Sequence, residues 1–123
     1  MSKLAHNPRR GEIDAELGGK RYVMCLTLGA LAELEAAFGA SDLVALAERF
    51  GQGRISARDA IKIIAAGLRG GGTEISDDEA AKLASPGGAA GYVKIISALL
   101  AATFGTLPEE APPIEKKDIL QNP

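Results

Sequence analysis

Two consecutive glycines constrain this chain more than any other feature of its sequence. Glu12-Ile13-Asp14-Ala15-Glu16-Leu17 alternates polar and apolar side chains, Gly18-Gly19 follows, and a second run continues from Lys20 to Leu26. A two-residue Gly-Gly loop suits a type I′ turn, because both central residues need positive φ. Fixing the loop fixes the register: Leu17 faces Lys20, Ala15 faces Tyr22 and Ile13 faces Met24, which gathers an apolar face. Glu16 then opposes Arg21 on the other face, with Asp14 and Glu12 beside it. A one-residue slip would carry Ile13 and Leu17 among these charges, so the pattern specifies the pairing. A hairpin alone is marginally stable in water. Its apolar face must therefore lie on helices.

The sequence supplies them. Thr27 caps a helix in which Leu31, Leu34 and Phe38 recur at helical spacing before Gly39. Ser41 caps the next, with Leu43, Leu46 and Phe50 ahead of Gly51. Ser56 and Asp59 form a capping box before Ala57, Ile61, Ile64 and Leu68, and Gly70-Gly71-Gly72 reads as that helix's stop and a linker. Ser76 and Glu79 open a short acidic helix that halts before Ser85-Pro86-Gly87-Gly88. A last helix runs from about Ala89 to Phe104, with Gly105 as its stop. Caps, glycines and apolar period agree each time. The expected fold is α+β: an N-terminal two-stranded β-hairpin packed on a bundle of about five helices, with a flexible C-terminal tail. Residues 1–10 read as a flexible lead, 11–105 as one domain, and 106–123, which hold four of the six prolines, as a disordered tail.

Composition narrows the function classes. A chain of 123 residues can bury roughly two-thirds of the surface it exposes when unfolded, enough for one core. It has 22 alanines and five aromatic residues, which favours close helix packing over an aromatic-rich sandwich. Fourteen basic and sixteen acidic residues give a net charge of −2, so no global attraction draws it to nucleic acid or anionic membrane. The lone Cys25 excludes an internal disulfide framework and a Cys-rich zinc site. Met1 to Arg10 contain no apolar run, so no signal peptide is expected. Ala89 to Phe104, interrupted by Lys94, falls short of the roughly 20 residues a membrane helix needs. These observations lead to an expectation of a cytoplasmic protein without a membrane partner.

Candidate chemistry is sparse. His6 lies in the polar lead before Pro8, and Cys25 falls on the polar face of the hairpin with no histidine nearby to activate it. Asp77-Asp78-Glu79 lies in the first turn of a helix, where the helix dipole favours carboxylates, and its consecutive spacing fans the groups around the axis. Gly70-Gly71-Gly72 lacks the strand and the Lys-Ser/Thr of a phosphate loop. No catalytic residue, metal ligand or cofactor site is expected. Arg58, Lys62 and Arg69, with Arg49 and Arg54 before them, loosely resemble a helix-turn-helix surface. That face offers no Asn, Gln, Ser or Thr to read base edges, so a solvated helix face is preferred and DNA binding stays a minor alternative. The last helix carries the broadest apolar arc: Tyr92, Val93, Ile95, Ile96, Leu99, Leu100 and Phe104 cover about half its circumference. The preferred explanation is a central core helix. The functional one is that part of this arc meets another polypeptide.

Three stretches together carry a family resemblance: Asn7-Pro8-Arg9-Arg10-Gly11-Glu12, then Leu28-Gly29-Ala30-Leu31-Ala32-Glu33-Leu34-Glu35, then Ala65-Ala66-Gly67-Leu68-Arg69-Gly70-Gly71-Gly72. Over about residues 7–105 the chain resembles the small tail protein of alphaproteobacterial gene transfer agents and related siphophages. That family is grouped with phage tail assembly chaperones and has also been labelled a tail tube component. The resemblance implies a non-enzymatic protein that binds the tape measure protein during tail assembly in the host cell and is absent from the finished particle. The alternative is a structural, tail tube-associated component. Tail tube protein and a second copy of the chain are further expected partners. For partner contact the residues singled out are Tyr92, Val93, Ile96, Leu100 and Phe104 on the last helix, with Ile119 and Leu120 in the tail.

Overall fold

The computed structural model of the chain describes residues 11–52 and 55–105. Strands β1 (Glu12–Leu17) and β2 (Lys20–Cys25) are followed by helices α1 (Leu28–Phe38), α2 (Leu43–Gly51), α3 (Ala57–Gly70), α4 (Asp77–Ala81) and α5 (Gly88–Phe104). The α+β architecture is the expected one, a two-stranded antiparallel hairpin with five helices.

The hairpin has the register its loop dictates, with Leu17 opposite Lys20, Ala15 opposite Tyr22 and Ile13 opposite Met24. Gly18 and Gly19 sit at φ 61° and 82°, the left-handed region that the tight turn requires. Ile13, Ala15, Leu17 and Met24 are buried, so the apolar face is spent on the helices. The Gly18 N–H donates to the Ala84 carbonyl over 2.7 Å and ties the hairpin tip to the segment before α5. In a two-residue loop the closing pair is hydrogen-bonded, and such pairs alternate along the ladder. Val23 and Cys25 therefore turn their carbonyls outward, away from β1.

Helix starts follow capping chemistry. Thr27 Oγ1 accepts from the Ala30 N–H at 3.1 Å. Both capping boxes form, with Ser56 and Asp59 exchanging bonds of 3.1 and 3.4 Å, and Ser76 and Glu79 bonds of 3.0 and 2.9 Å. Two helix starts differ from expectation, and α2 runs through Gly51 to a C-cap at Gln52. The α2 cap is Asp42, not Ser41: its Oδ1 accepts from the Ala45 N–H at 2.8 Å. The helix begins at Leu43, so Ser41 stands one residue too early for its hydroxyl to take the N-cap position. Helix α5 starts at Gly88, with Gly87 in the N-cap position and no side-chain cap.

The central helix is α3, rather than the last helix as the apolar arc suggested. It packs on β2, α1, α4 and α5, and Ile63 to Leu68 are buried without a break. Small residues make this enclosure possible: a Cβ at Gly67 would come within 2.7 Å of Leu99 Cδ2. Helix α5 buries Ile96, Leu99 and Leu100, while Ala89, Ala90, Val93, Lys94, Ser97, Ala98 and Ala101 face outward. The Gly70-Gly71 pair does more than stop α3. A Cβ at Gly70 would overlap the Cys25 carbonyl oxygen, and one at Gly71 the Val23 carbonyl oxygen. The end of α3 thus lies directly on the outward carbonyls of β2.

Candidate interaction surface

An open apolar cleft of about 390 Å³ lies between the first half of α3, α4 and the first half of α5. Its floor is Ile64 and Ile96, both buried, and the partly buried Ile61 stands on its wall. Ala57, Ala60, Ala80, Ala81 and Ala89 complete the lining on three helices. Alanine explains why the cleft exists, since one methyl per position cannot fill the space between helices that larger residues hold apart elsewhere. Val93 stands at the lip, 60% exposed, one of the few large apolar side chains left open to solvent.

The residues singled out on α5 separate into different roles. Leu100 is 2% exposed and belongs to the core, and Ile96, 1% exposed, reaches the cleft only as part of its floor. The arc is wide because α5 meets β1, β2, α2 and α3 from several directions. Tyr92 lines the cleft with its ring, and its hydroxyl donates to the Leu83 carbonyl, which fixes the side chain over the end of α4. Phe104 is half-buried against the core at the far end of α5, roughly 18 Å along the axis from Tyr92. Tyr92 and Val93 share a site that Phe104 does not. Ile119 and Leu120 lie outside the described residues. Ile55, Ala57, Ala81 and Ala89 join the cleft although sequence reasoning did not select them. For the three alanines the only signal was the alanine content, which has no direction until the helices are placed.

Three of the five basic residues of the helix-turn-helix-like stretch are engaged within the fold. Arg49 pairs with Asp59 at 3.4 Å, and Lys62 with Asp77 at 3.3 Å. Arg69 reaches Glu33 at 2.8 Å, Asp77 at 3.2 Å and the Ile75 carbonyl at 2.9 Å. The hydrogen bond that Arg69 donates to Glu33 is the main influence raising the Arg69 pKa above its usual value, with Asp77 adding to it. Arg69 thereby clamps α1, α3 and α4 together. Arg58 is exposed on α3, and Arg54 lies outside the described residues.

Cys25 is half-buried on the polar face of the hairpin, opposite Glu12. Burial, with a smaller contribution from the Glu12 carboxylate, pushes its thiol pKa up. A thiol held protonated is a poor nucleophile. Asp77 and Glu79 are used in ion pairs and a cap, and no cluster of metal-ligating side chains occurs among the described residues. His6 lies outside them.

A family model described as "Phage tail tube protein, GTA-gp10" matches residues 10–106, which takes in the whole hairpin-and-helix body. The chain belongs to this family. No curated protein and no solved structure matches it. The match to this phage and gene transfer agent tail protein ends where α5 ends, so the cleft lies inside the family's common body and residues 107–123 lie beyond it.

Proposed function

We propose that this tail protein is a structural component of a phage-like tail, associated with the tail tube, and that it works through protein contacts rather than catalysis. The observation that carries this reading is the match of the tail tube family over residues 10–106. The physical character of the body agrees with it. Ion pairs join its helices into one unit, and the uncovered surface next to Val93 is apolar and small-residued, suited to packing against another polypeptide. Under this reading the partners are tail tube protein and further copies of the chain.

The test is the composition of mature particles. Quantitative mass spectrometry of purified tails should find the chain at a fixed ratio to the tail tube subunit. Its complete absence from particles whose assembly requires it would overturn the structural role.

A second reading, the tail assembly chaperone, is favoured by the cleft itself. An open apolar groove on a small body can shelter an amphipathic helix of the tape measure protein until the tube closes around it. In that case co-expression in the host cytoplasm should keep the tape measure protein soluble and the two should co-purify.

A further inference from the structure

We propose that the free edge of β1 receives an extended strand of another polypeptide, one with Lys or Arg at every second position. The two edges of the hairpin are in different states. On β2, the carbonyls of Val23 and Cys25 lie under Gly71 and Gly70, so the end of α3 closes that side. The β1 residues opposite Cys25, Val23 and Arg21 are Glu12, Asp14 and Glu16. The alternation of the ladder turns the N–H and C=O groups of these three away from β2. Among the described residues, no backbone or side-chain group bonds to any of the six. Donors and acceptors in such a row are what an added strand bonds to.

The side chains beside that row say which strand fits. Glu12, Asp14 and Glu16 share one face, since residues two apart in a strand point the same way. Glu16 is exposed and the other two are half-buried. None of the three takes part in an ion pair among the described residues, and Arg21 is the one cation of β2 on that face. In an antiparallel addition the residues that bond across the new ladder stand directly opposite, side chains on a common face. Lys or Arg at alternate positions of the incoming strand therefore meets each carboxylate in turn. A second copy's β1 would set carboxylate against carboxylate in every antiparallel register that uses these bonds, and like charges opposite one another are destabilising. The pattern that disfavours a second copy thus selects a basic strand. Its intervening residues fall on the face of Ile13, Ala15 and Leu17, where α5 packs, so they are apolar.

This edge belongs to the hairpin-and-helix body itself and depends on neither reading of the tail function. The cleft between α3, α4 and α5 takes no part in it.

Amide hydrogen exchange in the full-length chain, followed by NMR with and without short peptides, decides the matter. An alternating Lys-Val heptapeptide should slow exchange at Glu12, Asp14 and Glu16 by more than about tenfold and leave Arg21, Val23 and Cys25 unchanged. The same peptide N-methylated at its lysines keeps every charge but loses the donors to β1, and should give no slowing. An alternating Glu-Val peptide should give none either. Glu12→Gln/Asp14→Asn/Glu16→Gln in the full chain should weaken binding of the Lys-Val peptide about tenfold. Failure of the Lys-Val peptide to protect the three amides of the unaltered chain would overturn the proposal, as would equal binding of its N-methylated form. So would β1 amides already protected in the peptide-free chain, which would make a second copy or a segment of the chain itself the occupant.

Discussion

At Gly70 and Gly71 a hydrogen atom stands where any other residue would put a carbon into the backbone of β2. The neighbouring atoms are carbonyl oxygens of the β2 backbone, so they cannot rotate away as a side-chain tip could. Gly70→Ala should therefore destabilise the protein by about 3 kcal/mol, at the upper end of the usual cost of overpacking, read as a lowered denaturant midpoint. The sequence showed a glycine run and a helix end. It could not show the close approach, because the partner oxygens belong to residues some 45 positions earlier. Cys25, one of those partners, offers a second measurement. Its raised pKa leaves less thiolate at a given pH, so alkylation at pH 8 should be slower in the native chain than in the denatured one. Equal rates would contradict the burial. The sign for stability follows: the thiol's contribution is fully present below its unfolded pKa, about 8.5, and is lost as pH rises through the raised native value.

Among elements, the hairpin was the most legible. Its loop fixes the register by backbone geometry alone, and no distant residue had to be known. Helix existence was equally legible, since caps, stops and apolar spacing were independent signals that agreed. The start of α2 was not, because Ser41 and Asp42 are both good capping residues and only the placement of Leu43 and Ala45 chooses between them. Asp42→Ala should cost about 1 kcal/mol of stability, the usual value of a lost N-cap. Ser41→Ala should stay within about 0.5 kcal/mol of the parent. Thermal unfolding of the two variants separates them, and the reverse order would return the cap to Ser41. Helix α4 makes a related point. Five residues cannot hold a helix in isolation. Its capping box and the pairs from Lys62 and Arg69 to Asp77 do so here.

For the whole molecule, the sequence located the apolar faces but not their order of enclosure. Helix α5 has the wider arc, yet α3 sits deepest, because Ala65, Ala66 and Gly67 let neighbours close around it. The candidate site was hidden for the same reason. A cleft made by small side chains is a deficit of atoms, and which alanines face that deficit depends on how three helices meet. Leu99 belongs to the shared core of α3, α5 and β2 and is fully buried. Leu99→Ala should cost about 3 kcal/mol, with the exact loss set by how far Gly67 and Met24 can close the gap. Val93→Ala, on the same helix, should change stability by no more than about 0.5 kcal/mol. Chemical denaturation of the pair measures how sharply α5 divides between interior and surface.

The contact between α3 and β2 also limits how copies of this protein can be strung together. A strand ladder grows from one molecule to the next only if each member offers two free edges, one to receive and one to extend. Here the outward carbonyls of Val23 and Cys25 are already roofed by Gly71 and Gly70. Any addition through the hairpin has to come at β1, and a unit with one usable edge ends a row instead of continuing it. Two such units could meet β1 to β1 about a twofold axis, and growth would stop there. Among the described residues, then, it is the helix faces that are left to hold rings or columns of this chain, and the hairpin is a terminus.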